Sequence, residues 1–491
     1  MTEAQARLKR WLAEECPGAL LRWLPSQRWF GAKSQTIAAS AVQEVVWIDR
    51  DAGVALVIVD VTYTHAGADD DCYAIVVGAA GTDRAGLAPL SADGAIVDGS
   101  SSATAVQALL MALLEGAPLA GEHGGQIRFA DVTPVLSRAL TSTPAPTVRA
   151  LRYEQSNTSV RIGSTHVFKL IRRLQEGEHP QLEIGRFLRR TSFRAAPPLD
   201  GSMVYVAADG RAFAIGVIEG WVENGGDGWT YVVGRLSAAA EGTPATTLND
   251  DFAQLGATTA DFHLALSSDS STPAFTPEPV TARDLDAWRY QVVSGADRTL
   301  SLVARVVAGW PAGLVAQGRA LLGARARIEQ RVAALVDRVA GLDFRTMRIH
   351  GDFHLGQTLK TVDGFVLIDF EGEPMKPMAQ RRLKQCALKD VAGLLRSIDY
   401  AVADVRARIP DAPVAALATD SLRRAFRQSY VARSRSGAAR YLPAPEGAVR
   451  ALAELFELEK ALYELDYEIN NRPDWIQIPL GAAVRLLAIA A

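Results

Sequence analysis

Residues 350–357 read His-Gly-Asp-Phe-His-Leu-Gly-Gln, and residues 368–372 read Ile-Asp-Phe-Glu-Gly. These stretches hold three carboxylates (Asp352, Asp369, Glu371), the amide of Gln357, and two of the chain's seven histidines, His350 and His354. Two chemistries compete for such a set. As transition-metal ligands, His350, Asp352 and His354 need one shared face, which alternate spacing supplies only on a regular strand. Gly351 points to a tight turn instead. Phosphoryl transfer needs one Asp to orient an acceptor hydroxyl, a second Asp on magnesium, and an amide oxygen to complete the metal shell.

The elements around these residues decide in favour of the second chemistry. Asp363-Gly364, between Thr358–Lys360 and Phe365–Ile368, is a two-residue hairpin signal. Such a hairpin folds Asp369 back beside the loop carrying Asp352 and Gln357. Asp352 is then the catalytic base, with Gln357 and Asp369 as the Mg2+ ligands and Glu371 as an additional one. The spacing parallels the kinase loop H-R-D-x-x-x-x-N, with Gln giving a longer reach for the same carbonyl oxygen.

A kinase also has to hold the phosphates of ATP. Glu154, Ser156, Asn157, Thr158 and Ser159 lie between two expected strands and offer small polar donors without a Gly-rich pattern. Lys169, the only lysine between Lys33 and Lys360, sits in an expected strand, and Glu183 on the following helix is its expected ion-pair partner. The run Ile218-Glu219-Gly220-Trp221-Val222 is the expected hinge, where backbone groups at Glu219 and Trp221 meet the adenine. Asp227 is preferred as a plain turn residue, and Cys386 as a small buried hydrophobe.

The wider chain fits this picture. At 491 residues it exceeds one compact core. A net charge of −3 gives no basic field, so no nucleic-acid partner is expected. Three scattered cysteines argue for a reducing, cytoplasmic setting. The N-terminus lacks the apolar core of a signal peptide, and no apolar run reaches the ~18 residues of a membrane span. Strands are expected over 41–62 and from Val148 onward, with hairpins at Gly163-Ser164 and Asp209-Gly210. Helices are expected over 102–115, 321–339, 391–405 and 449–469. A small sheet-rich lobe followed by a large helical one predicts an α+β, protein-kinase-like bilobal fold.

Several motifs run in order along nearly the whole chain: Trp29-Phe30-x-x-Lys33, EQSNTSV at 154–160, HGDFHLGQ at 350–357, DFEGEP at 369–374, KDVAGLLRS at 389–397 and NRPDWI at 471–476. With them the sequence resembles the bacterial maltokinases, within the kinase-like group that includes aminoglycoside and choline phosphotransferases. The resemblance implies an N-terminal cap subdomain over 1–95, a β-rich N-lobe over 96–220, and a mainly helical C-lobe over 221–491. It implies ATP and Mg2+ as cofactors, and transfer of the γ-phosphate to the anomeric hydroxyl of maltose, giving maltose 1-phosphate. Glucosamine is the alternative acceptor, and a catalytically idle pseudokinase scaffold is the rival of another class. Association with trehalose synthase is a further implication. For the sugar, Lys460, Tyr463 and Glu464 on the last long helix are the expected contacts, with Trp475, Asp399 and His354 as additional candidates.

Overall fold

The computed structural model describes residues 2–33, 35–64, 70–79, 87–151, 157–242, 247–409 and 414–489. The chain packs as two compact units. The first comprises Met1–Arg190, Pro197–Val222 and Pro377–Gln380, and the second Thr191–Ala196, Glu223–Lys376 and Arg381–Ala491.

The first unit holds two antiparallel sheets. One takes strands in the order β1 (Ile37–Asp49), β2 (Val54–Tyr63), β3 (Asp71–Ala79) and β10 (Arg173–Leu174), with β4 (Ile96–Asp98) also paired to β3. The other runs β5 (Leu119–Ala120), β6 (Gln126–Ala130), β11 (Leu199–Val206), β12 (Ala212–Gly220), β9 (His166–Leu170), β8 (Thr158–Ile162) and β7 (Val148–Leu151). Helices α1 (Glu3–Glu14), α2 (Cys16–Trp23), α3 (Ala103–Glu115), α4 (Pro134–Leu140) and α5 (Pro180–Leu188) complete it.

Strand β2 explains how the sheets are joined. Its run VALVIVDVTY is apolar at almost every position, the pattern of a strand buried on both faces. Val54, Leu56 and Ile58 enter a core shared with α3 and with Val160, Phe168, Met203 and Ile215 of the larger sheet. Ala55, Val57, Val59 and Val61 face the opposite way, onto Leu8, Trp11, Leu20 and Trp23 of α1 and α2. Helix α3 starts where expected, with Ser102 capping the N–H of Ala105.

The second unit is mainly helical: α6 (Gly228–Ala240), α7 (Leu248–Leu266), α8 (Ala282–Val306), α9 (Ala312–Leu322) and α10 (Arg325–Asp337), then α11 (Met378–Arg381), α12 (Leu388–Arg408), α13 (Val414–Ser436), α14 (Glu446–Asn471) and α15 (Gln477–Leu486). Two short ladders interrupt it, β13 (Glu278–Pro279) with β14 (Arg345–Thr346), and β15 (Thr358–Thr361) with β16 (Gly364–Leu367). The helix expected over 321–339 is divided: α9 ends at Leu322, Gly323 caps it, and α10 begins afresh at Arg325. The expected hairpin forms one residue earlier than its turn signal: Thr361 pairs with Gly364, so Val362-Asp363 is the loop. Asp227 is the N-cap of α6, accepting from the N–H of Thr230 at 2.7 Å. Among the described residues no helix is long and apolar enough to cross a membrane.

Candidate active site

In the second unit the hairpin does what its position in the sequence requires. Ile368 donates its N–H to the Gln357 carbonyl at 3.0 Å, and Leu367 donates to the Ala195 carbonyl at 2.8 Å. The chain then turns through Asp369 with φ +67°, left-handed backbone that Asp tolerates better than most side chains. This turn aims the carboxylate at the neighbouring loop, where Gln357 Nε2 donates to Asp369 Oδ2 at 3.1 Å. The pair expected to hold a cation is therefore formed. One oxygen on each side chain remains for a ligand.

The loop 350–357 is fixed from within the unit. Gly351 has φ +86°, a bend that a Cβ would oppose. Asp390, on the first turn of α12, accepts the N–H of His350 at 2.7 Å and that of Gly351 at 2.9 Å. His263 Nε2 lies 3.0 Å from the same carboxylate, and its Nδ1 lies 2.9 Å from Tyr430 Oη. Burial alone would raise the Asp390 carboxyl, but the His263 hydrogen bond and charge and the Gly351 N–H outweigh it and hold it below the ordinary range. Gly393 of α12 lies against the loop, where an added Cβ would stand 2.5 Å from the Phe353 carbonyl oxygen.

Each of the two histidines has one ring nitrogen bonded to a backbone group. His350 Nε2 donates to the Ile368 carbonyl at 2.9 Å, tying the 350–357 loop to the residue before Asp369. His354 Nδ1 accepts the N–H of Gly356 at 3.1 Å. Burial, reinforced by the charges of Lys460 and His350, holds the His354 imidazole below its usual value against the pull of Asp352 and Asp369. Among the described residues no three His, Cys, Asp or Glu side chains converge into a cation cage.

On the acceptor side, Lys460 of α14 stands 3.7 Å from Glu373, which also pairs with Lys376 at 3.0 Å. Desolvation would lower the Lys460 ammonium, but Asp352, Glu373 and Glu464 together raise it well above its usual value. Burial raises the Glu464 carboxyl against the opposing charge of Arg396, whose Nε donates to it at 2.8 Å. Tyr463 is exposed, with the Lys460 ammonium 5.1 Å from its ring centre.

Two further acceptor candidates have protein partners of their own. Asp399 is engaged by three arginines, Arg396 at 2.6 Å, Arg423 at 3.1 Å and Arg485 at 3.0 Å, so it anchors α12 to its neighbours. Trp475 stacks on Tyr400 with ring centres 5.9 Å apart, and the Arg472 guanidinium lies over its ring. Glu371 is buried, as is Cys386, whose thiol burial pushes up to about 12.

In the first unit, Lys169 lies on β9 as expected and faces Ser159 of β8 in register. Glu219, on the adjacent β12, places a carboxylate 3.0 Å from the Lys169 ammonium. Gln181, in the first turn of α5, donates to the other oxygen of Glu219. Glu183 stands in that same turn, partly buried. The Glu219 side chain thus joins Lys169 to the first turn of α5. Trp221 donates its N–H to the Thr165 carbonyl at 2.7 Å and carries the Arg161 guanidinium over its ring at 4.0 Å. The hydroxyl of Thr158 accepts from Arg172 at 2.9 Å. Asn157 and Ser159 flank it; Glu154 and Ser156 lie outside the described residues.

Sequence reasoning gave no role to Asp390, Arg396 or Arg172. A trace of the first two was present. Both stand in the run KDVAGLLRS, among Val391, Ala392, Leu394 and Leu395, where a charge that becomes buried needs partners.

Residues 23–109 match the family model of the maltokinase N-terminal cap domain. A glucosamine kinase of Mycolicibacterium smegmatis is 30% identical over 344 residues, 69% of this chain and 79% of that protein. A glucosamine kinase of Streptacidiphilus jiangxiensis is 30% identical over 358 residues, 71% of this chain and 75% of that protein. Among solved structures, a glucosamine kinase in complex with glucosamine, ADP and inorganic phosphate superposes with TM-score 0.67 at 21% identity, covering 99% of this chain and 100% of that one. The kinase-like fold is therefore shared, and the chain belongs to the maltokinase-like family of capped phosphotransferases, enzymes that act on an alcohol group.

Proposed function

We propose that this chain is an ATP-dependent sugar kinase whose acceptor is a neutral sugar, maltose first, phosphorylated at its anomeric hydroxyl. Asp352 takes the hydroxyl proton as the sugar oxygen bonds to the γ-phosphorus and the bond to the leaving ADP breaks. Lys169, steadied by Glu219, neutralises nucleotide phosphates. Gln357 and Asp369 fit a magnesium ion, which keeps waters and uses few protein oxygens beside substrate phosphates. When bound, that ion offsets charge on the phosphates.

Lys460 carries the choice of a neutral acceptor. Its ammonium is held charged by Asp352, Glu373 and Glu464. Arg396 bonds to Glu464 as well. The carboxylates on this side are thus matched by the protein's own cations, and an ammonium on the sugar would meet repulsion. The second reading is glucosamine, favoured by the names of the two relatives at 30% identity. An ATP-consumption screen across maltose, glucosamine, glucose, trehalose and aminoglycosides separates them. Highest kcat/KM on maltose supports the first reading, and highest on glucosamine replaces it with the second. ADP binding without turnover on any acceptor would leave the pseudokinase scaffold. The association with trehalose synthase remains part of the proposal, tested by co-purification of the two proteins.

A further inference from the structure

Arg172 is among the most deeply buried side chains of the first unit, 1% exposed. Its Nη2 donates to Asp98 Oδ2 at 2.7 Å and to the Ser100 hydroxyl, and its Nε donates to Thr158 Oγ1 at 2.9 Å. The face of the guanidinium lies 4.7 Å from the centre of the Trp29 ring. Its backbone carbonyl accepts the N–H of Ala74 on β3 at 2.8 Å.

These contacts divide in an informative way. Trp29, Ala74, Asp98 and Ser100 all fall within residues 23–109, the stretch matched to the cap. Thr158 is instead the first residue of β8 and part of the EQSNTS segment. Arg172 itself stands three residues beyond Lys169, and Lys169 pairs in register with Ser159. One planar cation therefore joins the cap to the end of the phosphate segment and to the strand bearing the lysine. Burying an arginine is costly, and a well-packed apolar residue often stabilises as well or better. What the fork supplies is geometry: donors in a fixed plane that an apolar side chain lacks.

We propose that Arg172 is a positioning residue, through which the cap sets the placement of Thr158 and, with it, of the neighbouring phosphate-binding candidates Asn157 and Ser159. The inference rests on the reading of Asn157, Thr158, Ser159 and Lys169 as phosphate-binding residues. Thr158 Oγ1 accepts from the guanidinium, so its own hydrogen is directed elsewhere, toward an acceptor such as a phosphate oxygen.

The test uses the full chain with Arg172→Met, Arg172→Lys, Thr158→Val and Asp98→Asn. ADP affinity is read directly with a fluorescent ADP analogue, and KM for ATP and for the acceptor by steady-state kinetics. Arg172→Met and Thr158→Val are each expected to weaken ADP binding and raise KM for ATP about tenfold. KM for the acceptor stays within about twofold. The double variant is no worse than the weaker single one, since both remove the same link. Arg172→Lys recovers part of the affinity. ADP affinity within about twofold of the parent in folded Thr158→Val and Arg172→Met overturns the proposal. If Arg172→Met does not fold, Thr158→Val and Asp98→Asn decide by the same criterion. A parent chain that binds no ADP refutes the nucleotide reading itself and this inference with it; a parent that binds ADP with unaffected variants refutes this inference alone.

Discussion

Asp390 holds the backbone of His350 and, one residue on, that of Gly351: two successive N–H groups meet the two oxygens of one buried carboxylate, at 2.7 and 2.9 Å. The loop that presents Asp352 is thus clamped by α12, two residues before the carboxylate that matters. Asp390→Asn places a donor where one of these N–H groups needs an acceptor. We expect kcat to fall about tenfold or more, because small displacements of reacting groups are costly. Stability falls by about 1–3 kcal/mol. Because the folded carboxyl lies below its unfolded value, its contribution is complete above about pH 4 and is lost as pH falls through the folded value. Kinetics and thermal melts of parent and variant over pH 3–7 check both statements.

Asp352→Asn and Asp369→Asn should each lower turnover by about 10²–10⁴-fold or more while circular dichroism and Tm stay unchanged. Excess EDTA should stop turnover, and added Mg2+ should restore it. Normal activity of purified Asp369→Asn would remove that residue from the proposed metal pair.

His354 makes a separate prediction about acid. Its folded imidazole lies below the usual value of 6.5, so on acidification the unfolded chain binds the proton first. The folded state therefore loses stability as pH drops through and below about 6.5. His354→Asn should flatten the decline of Tm between about pH 7 and 5.5 relative to the parent. An equal slope in both proteins rejects a neutral, half-buried His354.

Lys460→Met should lower kcat/KM for maltose and raise the ratio of glucosamine to maltose turnover, since the substitution removes the cation that opposes an ammonium. A ratio that stays constant or falls would mean that Lys460 does not discriminate by charge.

Much of this was legible in the sequence because it depends on local signals. Alternation and turn residues located the β15–β16 hairpin to within one residue, and the hairpin alone implies that Asp369 returns to Gln357. The pairing of Lys169 with Glu219 was not legible. Glu219 meets the lysine through the β9–β12 register, a pairing between segments about fifty residues apart that no local pattern encodes. The surroundings of Asp399 were not legible for a related reason: Arg423 and Arg485 reach it from α13 and α15, far along the chain.

The two-faced burial of β2 carries a consequence for how the first unit folds and diversifies. Alternate residues of this strand belong to different cores, one of them shared with the seven-stranded sheet. Detaching the first sheet would strip water-excluding cover from Phe168 and Ile215, so the two sheets should melt as one cooperative block. A cap built this way cannot be shed or exchanged like a modular accessory. Change in it has to proceed by substitutions that keep both faces filled, leaving its loops and outer helices as the parts free to vary.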